Sequence, residues 1–243
     1  TYVMDSAQNQ LTAGQEVTDT FTVSTADGTT QIISVLITGT NDGPVAVNDT
    51  ATIGEAGGTA NGTAGSSLSS TTSGVSTLSV LANDTDVDSG DTKAVKDIKA
   101  GTAAGAGTAV TAATTSANGT EVVGSFGTIK IGADGSYTYV VDQANATVQA
   151  LNTNSTALSD VFTYTVQDAA GLSSTATITV SVTGANDAPV AVNDTATIGE
   201  AGGSNNGTAG SALTSTTSGF SALNVLANDT DVDASETLSV KDI

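Results

Sequence analysis

The stretch VFTYTVQDAAGLSSTATITVSVT, residues 161–183, decides the fold. Phe162, Tyr164 and Val166 alternate with Thr163 and Thr165. After the turn-forming QDAAG, Ile178, Val180 and Val182 alternate with Thr and Ser. A period of two, with aromatic and β-branched residues on one face and hydroxyls on the other, is the pattern of half-buried antiparallel strands. The same reading along 41–185 predicts strands over 44–53, 77–82, 92–98, 120–131, 136–141, 161–167 and 174–184. Asp134-Gly135 makes a tight turn between Ile131 and Tyr137. The Gly/Ser/Thr/Ala-rich stretches 56–76 and 99–119 read as long loops or weak edge strands. No amphipathic helix of even three turns is present, so the chain is all-β.

Working outward, the sequence repeats. Residues 41–98 and 186–243 align without a gap at an offset of 145, and 45 of the 58 positions are identical. Segments of 19–42 also echo segments of 160–187, less regularly: Asp19-Thr-Phe21-Thr-Val23 matches Asp160-Val-Phe162-Thr-Tyr164, and ITGTND (37–42) matches VTGAND (182–187). The division expected is the C-terminal part of one repeat (1–40), a complete repeat (41–185) and the N-terminal part of the next (186–243). A 145-residue repeat has the size of one antiparallel Ig-like β-sandwich. The two prolines, Pro44 and Pro189, both lie in ND-x-P-V-A at the proposed boundaries, where a residue without an amide proton suits the start of a first strand.

Composition removes whole classes of function. The 243 residues carry 25 acids against 5 Lys and Arg, a net charge of −20, and no His, Cys or Trp. Nothing here can neutralise a phosphate backbone, so nucleic acid is not the partner. Zinc, copper, haem and iron–sulfur ligation, a Ser-His-Asp triad and a thiol nucleophile all lack their residues. No apolar run of 18 residues exists, so no membrane span is expected, and residues 1–20 do not read as a signal peptide. The few aromatics, Phe21, Phe162, Tyr164, Tyr137 and Tyr139, sit at alternating strand positions and read mostly as core rather than a sugar platform. No phosphate-loop or nucleophile-elbow motif is present, so the chain is expected not to be an enzyme.

The acids themselves are patterned. Asp84-x-Asp86-x-Asp88 recurs as Asp229-x-Asp231-x-Asp233. Carboxylates this close repel one another unless a cation lies among them, and hard oxygen donors without nitrogen or sulfur select Ca²⁺. An EF-hand is ruled out, because its sixth and twelfth positions would be Ser89 and Val95. The toxin repeat GGxGxDxUx is absent too. In a seven-strand sandwich the chain start and the second–third and sixth–seventh connections share one end. That end collects Asn41, Asp42, the triplet Asp84/Asp86/Asp88 and Asp168. The opposite end carries Glu55, closing the first strand, and Asp160. A cation held by Glu55, Asp160, Asn186, Asp187, Asp229, Asp231 and Asp233 would clamp one repeat to the next.

Three segments, FTYTVQDAAGLSSTATITVSVTGANDAPVAVND, GTIKIGADGSYTY and LANDTDVD, resemble the VCBS repeats and related cadherin-like modules of large bacterial surface adhesins. The ND-x-P-V-A linker is similar to the cadherin linker whose Asn and Asp bind calcium between domains. The D-x-D triplet and the Glu ending the first strand are similar to further cadherin ligands. The Asp-Arg-Glu motif of cadherins is missing, since the chain has no Arg. The resemblance implies an extracellular array on the bacterial cell surface, stiffened by Ca²⁺ and partnered by neighbouring repeats of its own chain, with self-association into fibres a further expectation. Two other readings stay open: a subunit of an ordered filament built by strand exchange or head-to-tail packing, and a Ca²⁺-dependent glycan-binding module.

Overall fold

A computed structural model describes residues 2–4, 10–57, 65–202, 209–219 and 223–242. The chain falls into two compact units. The first comprises Thr1–Ile53, Ser67–Asp142 and Leu158–Val182; the second comprises Gly54–Ser66, Gln143–Ala157 and Thr183–Ile243.

In the first unit, β1 (Glu16–Ser24) and β2 (Thr30–Thr38) form a hairpin. The remaining strands are β3 (Asp49–Gly54), β4 (Ser69–Ser70), β5 (Lys93–Ala100), β6 (Thr108–Ala109), β7 (Thr120–Val123), β8 (Gly127–Ile131), β9 (Tyr137–Val141), β10 (Leu158–Asp168) and β11 (Ser173–Thr183). They make a six-stranded sheet in the order β4-β3-β11-β10-β5-β6 and a three-stranded sheet β7-β8-β9. The stretch quoted first is the β10–β11 hairpin at the middle of the larger sheet, in the register Phe162↔Ile178 and Tyr164↔Ala176.

Alternation along these strands builds the core. Phe162, Tyr164, Val166, Ile178, Val180, Ile98, Ile129 and Ile131 are all fully buried, and the Tyr139 ring meets Phe162 edge-on at 6.2 Å. In a chain with eight Phe and Tyr and no Trp, these rings supply much of the large apolar area. Phe21 departs from the expectation: it is 41% exposed and stacks on Tyr2 at 6.4 Å.

Three predicted strands are corrected. Residues 44–48 do not join the sheet. Their amides are taken one at a time, Val45 by Thr85 O, Ala46 by Ser174 Oγ and Val47 by Asp84 Oδ1. Residues 77–82 form turns around a single Ser79↔Ser136 bridge. Residues 120–131 split into β7 and β8, because the buried Asp160 carboxylate accepts the Ser125 and Phe126 amides at 3.0 Å each and bends the chain there. Among the described residues, the loop-like stretches 56–76 and 99–119 contribute the two-residue edge strands β4 and β6 and the end of β5 at 99–100, and residues 58–64 lie outside the described residues.

The second unit holds a one-turn helix, α1 (Ala146–Gln149), and the short pair β12 (Ala196–Thr197) and β13 (Thr214–Ser215). Asn145 caps α1 by accepting the Thr147 and Val148 amides, the usual role of a short polar side chain at that position.

Candidate metal centre

In the first unit, three polar segments meet: the linker residues Asn41 and Asp42, the loop 84–91 and the turn after β10. The Asp42 amide donates to Asp88 Oδ2 at 2.8 Å, and the Asp88 amide to Asp86 Oδ1 at 3.0 Å. Asn41 Nδ2 donates to Asp168 Oδ2 at 2.8 Å, while Asp168 Oδ1 accepts the Gly171 and Leu172 amides of its own turn. Burial of Asp168 opposes its ionisation, but these donors outweigh it and hold the carboxyl below the usual range. Asp168 therefore braces the linker asparagine.

The loop gathers carboxylates. One oxygen each of Asp86, Asp88 and Asp91 lie within 4.8 Å of one another. Asp91 was not anticipated, although the acid three residues beyond the triplet, repeated as Glu236, was a legible signal. Asp84 is not in this group. Asp84 reaches instead to the Val47 amide at 2.7 Å. Burial pushes the Asp84 carboxyl up. Below it Asp49, also buried, accepts from the Tyr164 hydroxyl at 2.8 Å and is pushed up to about 6 by burial, against its hydrogen bonds and with help from the Asp84 charge.

The second unit contains the same linker geometry 145 residues later. The Asp187 amide donates to Asp233 Oδ2 at 2.8 Å, the Asp233 amide to Asp231 Oδ1 at 3.0 Å and the Val192 amide to Asp229 Oδ1 at 2.8 Å. Asn186 Nδ2 donates to the Asp187 carbonyl. Here a further acid is present. Glu55 follows β3, where its amide bonds Thr183 O, and its side chain is completely buried. Glu55 Oε1 accepts the Ala185 amide and Oε2 accepts Gln149 Nε2 at 3.2 Å. Burial first, then the charges of Asp187 and Asp233, push Glu55 up; burial, then Asp233 and Asp231, do the same to Asp187.

Unsatisfied oxygen atoms decide what the group lacks. Both carboxylate oxygens of Asp187, Oδ1 of Asp233 and of Asp88, and Oδ2 of Asp84 and Asp86 are buried without a hydrogen-bond partner. Buried polar atoms are ordinarily paired, and an unpaired buried carboxylate is costly. A divalent cation with oxygen preference would supply what is missing, so these residues fit Ca²⁺. Among the described residues the ion pair found is Lys130–Glu121 at 3.2 Å.

Within the first unit, Asp160 accepts the Tyr139 hydroxyl at 2.8 Å as well as the Ser125 and Phe126 amides, so its carboxylate latches these segments together.

Residues 41–184, more than half of the chain, match the bacterial cadherin-like domain family. The chain belongs to that family. A comparison with curated proteins gives no match. Cadherin-like domains are structural and adhesion modules rather than enzymes, and they are usually extracellular. Among the described residues, no helix is long and apolar enough to cross a membrane.

Proposed function

We propose that this chain is a structural segment of a bacterial cell-surface adhesin or matrix fibre, built of tandem cadherin-like repeats (1–40, 41–185 and 186–243) and stiffened by Ca²⁺ where repeats join. One observation carries the reading: Asp187 and Asp233 bury three carboxylate oxygens without donors beside the fully buried Glu55. Glu55 closes the first strand of one repeat, while Asp187, Asp231 and Asp233 open the next. A cation shared among them ties the two copies together. Asp42, Asp86, Asp88 and Asp91 are the matching half of the preceding junction, with Asn41 and Asn186 held as linker braces. Asp84 and Asp229 brace the strand that follows.

The mechanism is electrostatic. The complete repeat carries 13 acids and 4 lysines. Without a cation the clustered carboxylates repel; with it, they become ligands. Sites of extracellular modules typically bind Ca²⁺ at about 10⁻⁴ to 10⁻³ M, a range suited to a surface fibre that stiffens only outside the cell. The test is calorimetric titration of the chain with Ca²⁺ and with Mg²⁺, alongside thermal unfolding in Ca²⁺ and in chelator. Saturable Ca²⁺ binding and a raised midpoint support the reading. Absence of binding at millimolar Ca²⁺ overturns it.

A further inference from the structure

One contact occurs at both junctions and involves no carboxylate. After each Asp triplet the chain makes a β-turn: the Asp91 amide returns to Asp88 O at 3.2 Å, and the Glu236 amide to Asp233 O at 3.4 Å. The third residue of each turn has positive φ, +83° at Gly90 and +67° at Ser235. In such a turn the amide of the second residue is not used by the turn itself. That free amide belongs to Ser89 in one copy and to Ala234 in the other. Ser89 N donates to Gln10 O at 3.1 Å, and Ala234 N donates to Ala150 O at 3.1 Å.

The acceptors match as well. Ala150 is the C-cap of α1, where a carbonyl has no intrahelical partner. Next to it Leu151 is 7% exposed, as Leu11 beside Gln10 is 5% exposed. Each leucine lies against a linker glycine with no space for a side chain. A Cβ at Gly184 would sit 2.4 Å from Asn152 O, and one at Gly39 would sit 2.4 Å from Thr12 O. In the second unit the contact is reciprocal, since Asn152 Nδ2 donates to Ala234 O at 3.0 Å.

We propose that consecutive repeats are joined by a metal-independent backbone clasp, in which the free corner amide of the turn after the Asp triplet bonds the carbonyl before the buried leucine of the preceding repeat. Donor and acceptor are neutral amide groups, so the bond needs no ion. Its residues differ between copies (Ser89 to Gln10, Ala234 to Ala150) because the shared bond joins backbone atoms, to which Asn152 adds a side-chain bond in the second copy. The clasp adds an off-axis attachment beside the linker. A repeat whose acids have released their cation therefore stays docked, and the ion stiffens a junction already oriented. The clasp rests on the tandem-repeat reading of the proposed function but not on Ca²⁺ binding.

The experiment is amide hydrogen exchange by NMR on the full chain in excess chelator, read at Ser89 and Ala234. Both amides are expected to be protected. Asn152→Ala is expected to lose protection at Ala234 and leave Ser89 unchanged, an internal control because Thr12 stands at the equivalent position. Ala234→Pro removes the donor at a turn position that suits proline, and its expected result is faster backbone motion at residues 186–190 with the β10–β11 amides unaffected. Unprotected Ser89 and Ala234 in chelator overturn the clasp, as does protection that arises only when Ca²⁺ is added. Unchanged linker motion in Ala234→Pro overturns it too.

Discussion

The amide of Asp187 holds Oδ2 of Asp233 at 2.8 Å and leaves Oδ1 of the same carboxylate buried without a partner. Asp42 and Asp88 repeat the relationship, again at 2.8 Å, with Oδ1 of Asp88 unpartnered. One oxygen thus orients each side chain while the other is left without a donor. The backbone of the linker and the carboxylate of the loop are fastened together without an ion.

Neutralising Asp233 separates the two roles. Asp233→Asn keeps an acceptor for the Asp187 amide but removes a charge from the group. In chelator it is expected to raise the unfolding midpoint, because repulsion with Asp187 and Glu55 is relieved. In saturating Ca²⁺ the ligand-linked stabilisation, about 2.7 kcal/mol at a hundredfold excess over Kd, should be largely lost. Calorimetric scans with and without Ca²⁺ check both signs.

The metal-free chain should become more stable on mild acidification. Glu55, Asp187 and Asp49 have carboxyls raised by burial, so the folded state binds protons more tightly than the unfolded one. Their stabilising effect is present when protonated and is lost as pH rises through the folded value. For Asp49 the window runs from the ordinary 3.8 up to about 6. Urea midpoints in chelator between pH 7 and pH 5 should rise, and Asp49→Asn should flatten the slope. With Ca²⁺ present the trend should invert, since protons then compete with the ion.

Asp160→Ala leaves the Ser125 and Phe126 amides and the Tyr139 hydroxyl without their acceptor. A loss of about 3 kcal/mol is expected from three donors stripped of a charged partner. Calcium affinity should not change. Urea denaturation and titration on the same variant measure the two quantities.

Two glycines should respond differently to alanine. Gly90→Ala meets open space, so only the positive φ is penalised, by about 1 kcal/mol. Gly184→Ala places a Cβ 2.4 Å from Asn152 O and 2.7 Å from the Leu151 backbone, where the linker or the turn beside α1 must shift. Its larger loss of stability should come with lost protection at the Ala234 amide. Thermal unfolding and amide exchange distinguish the two.

Much of this protein was legible in the residues alone. Period-two alternation in Phe162–Val166 and Ile178–Val182 determined the all-β class and the central hairpin, since a pleated strand sends successive side chains to opposite faces. The 145-residue offset exposed the repeat, and the acidic triplets with their Asn-Asp linkers marked the segments where carboxylates gather. Tertiary structure decided the rest. It engaged Asp84 with the Val47 amide and left it outside the group of Asp86 and Asp88. It drew Asp160 into a latch with Tyr139, brought Asp91 into the acidic group and joined Ala150 to Ala234 through backbone atoms alone. Side-chain pattern is written along the chain, whereas a backbone carbonyl or amide is the same in every residue. Which of them meet is set only when distant segments fold against one another.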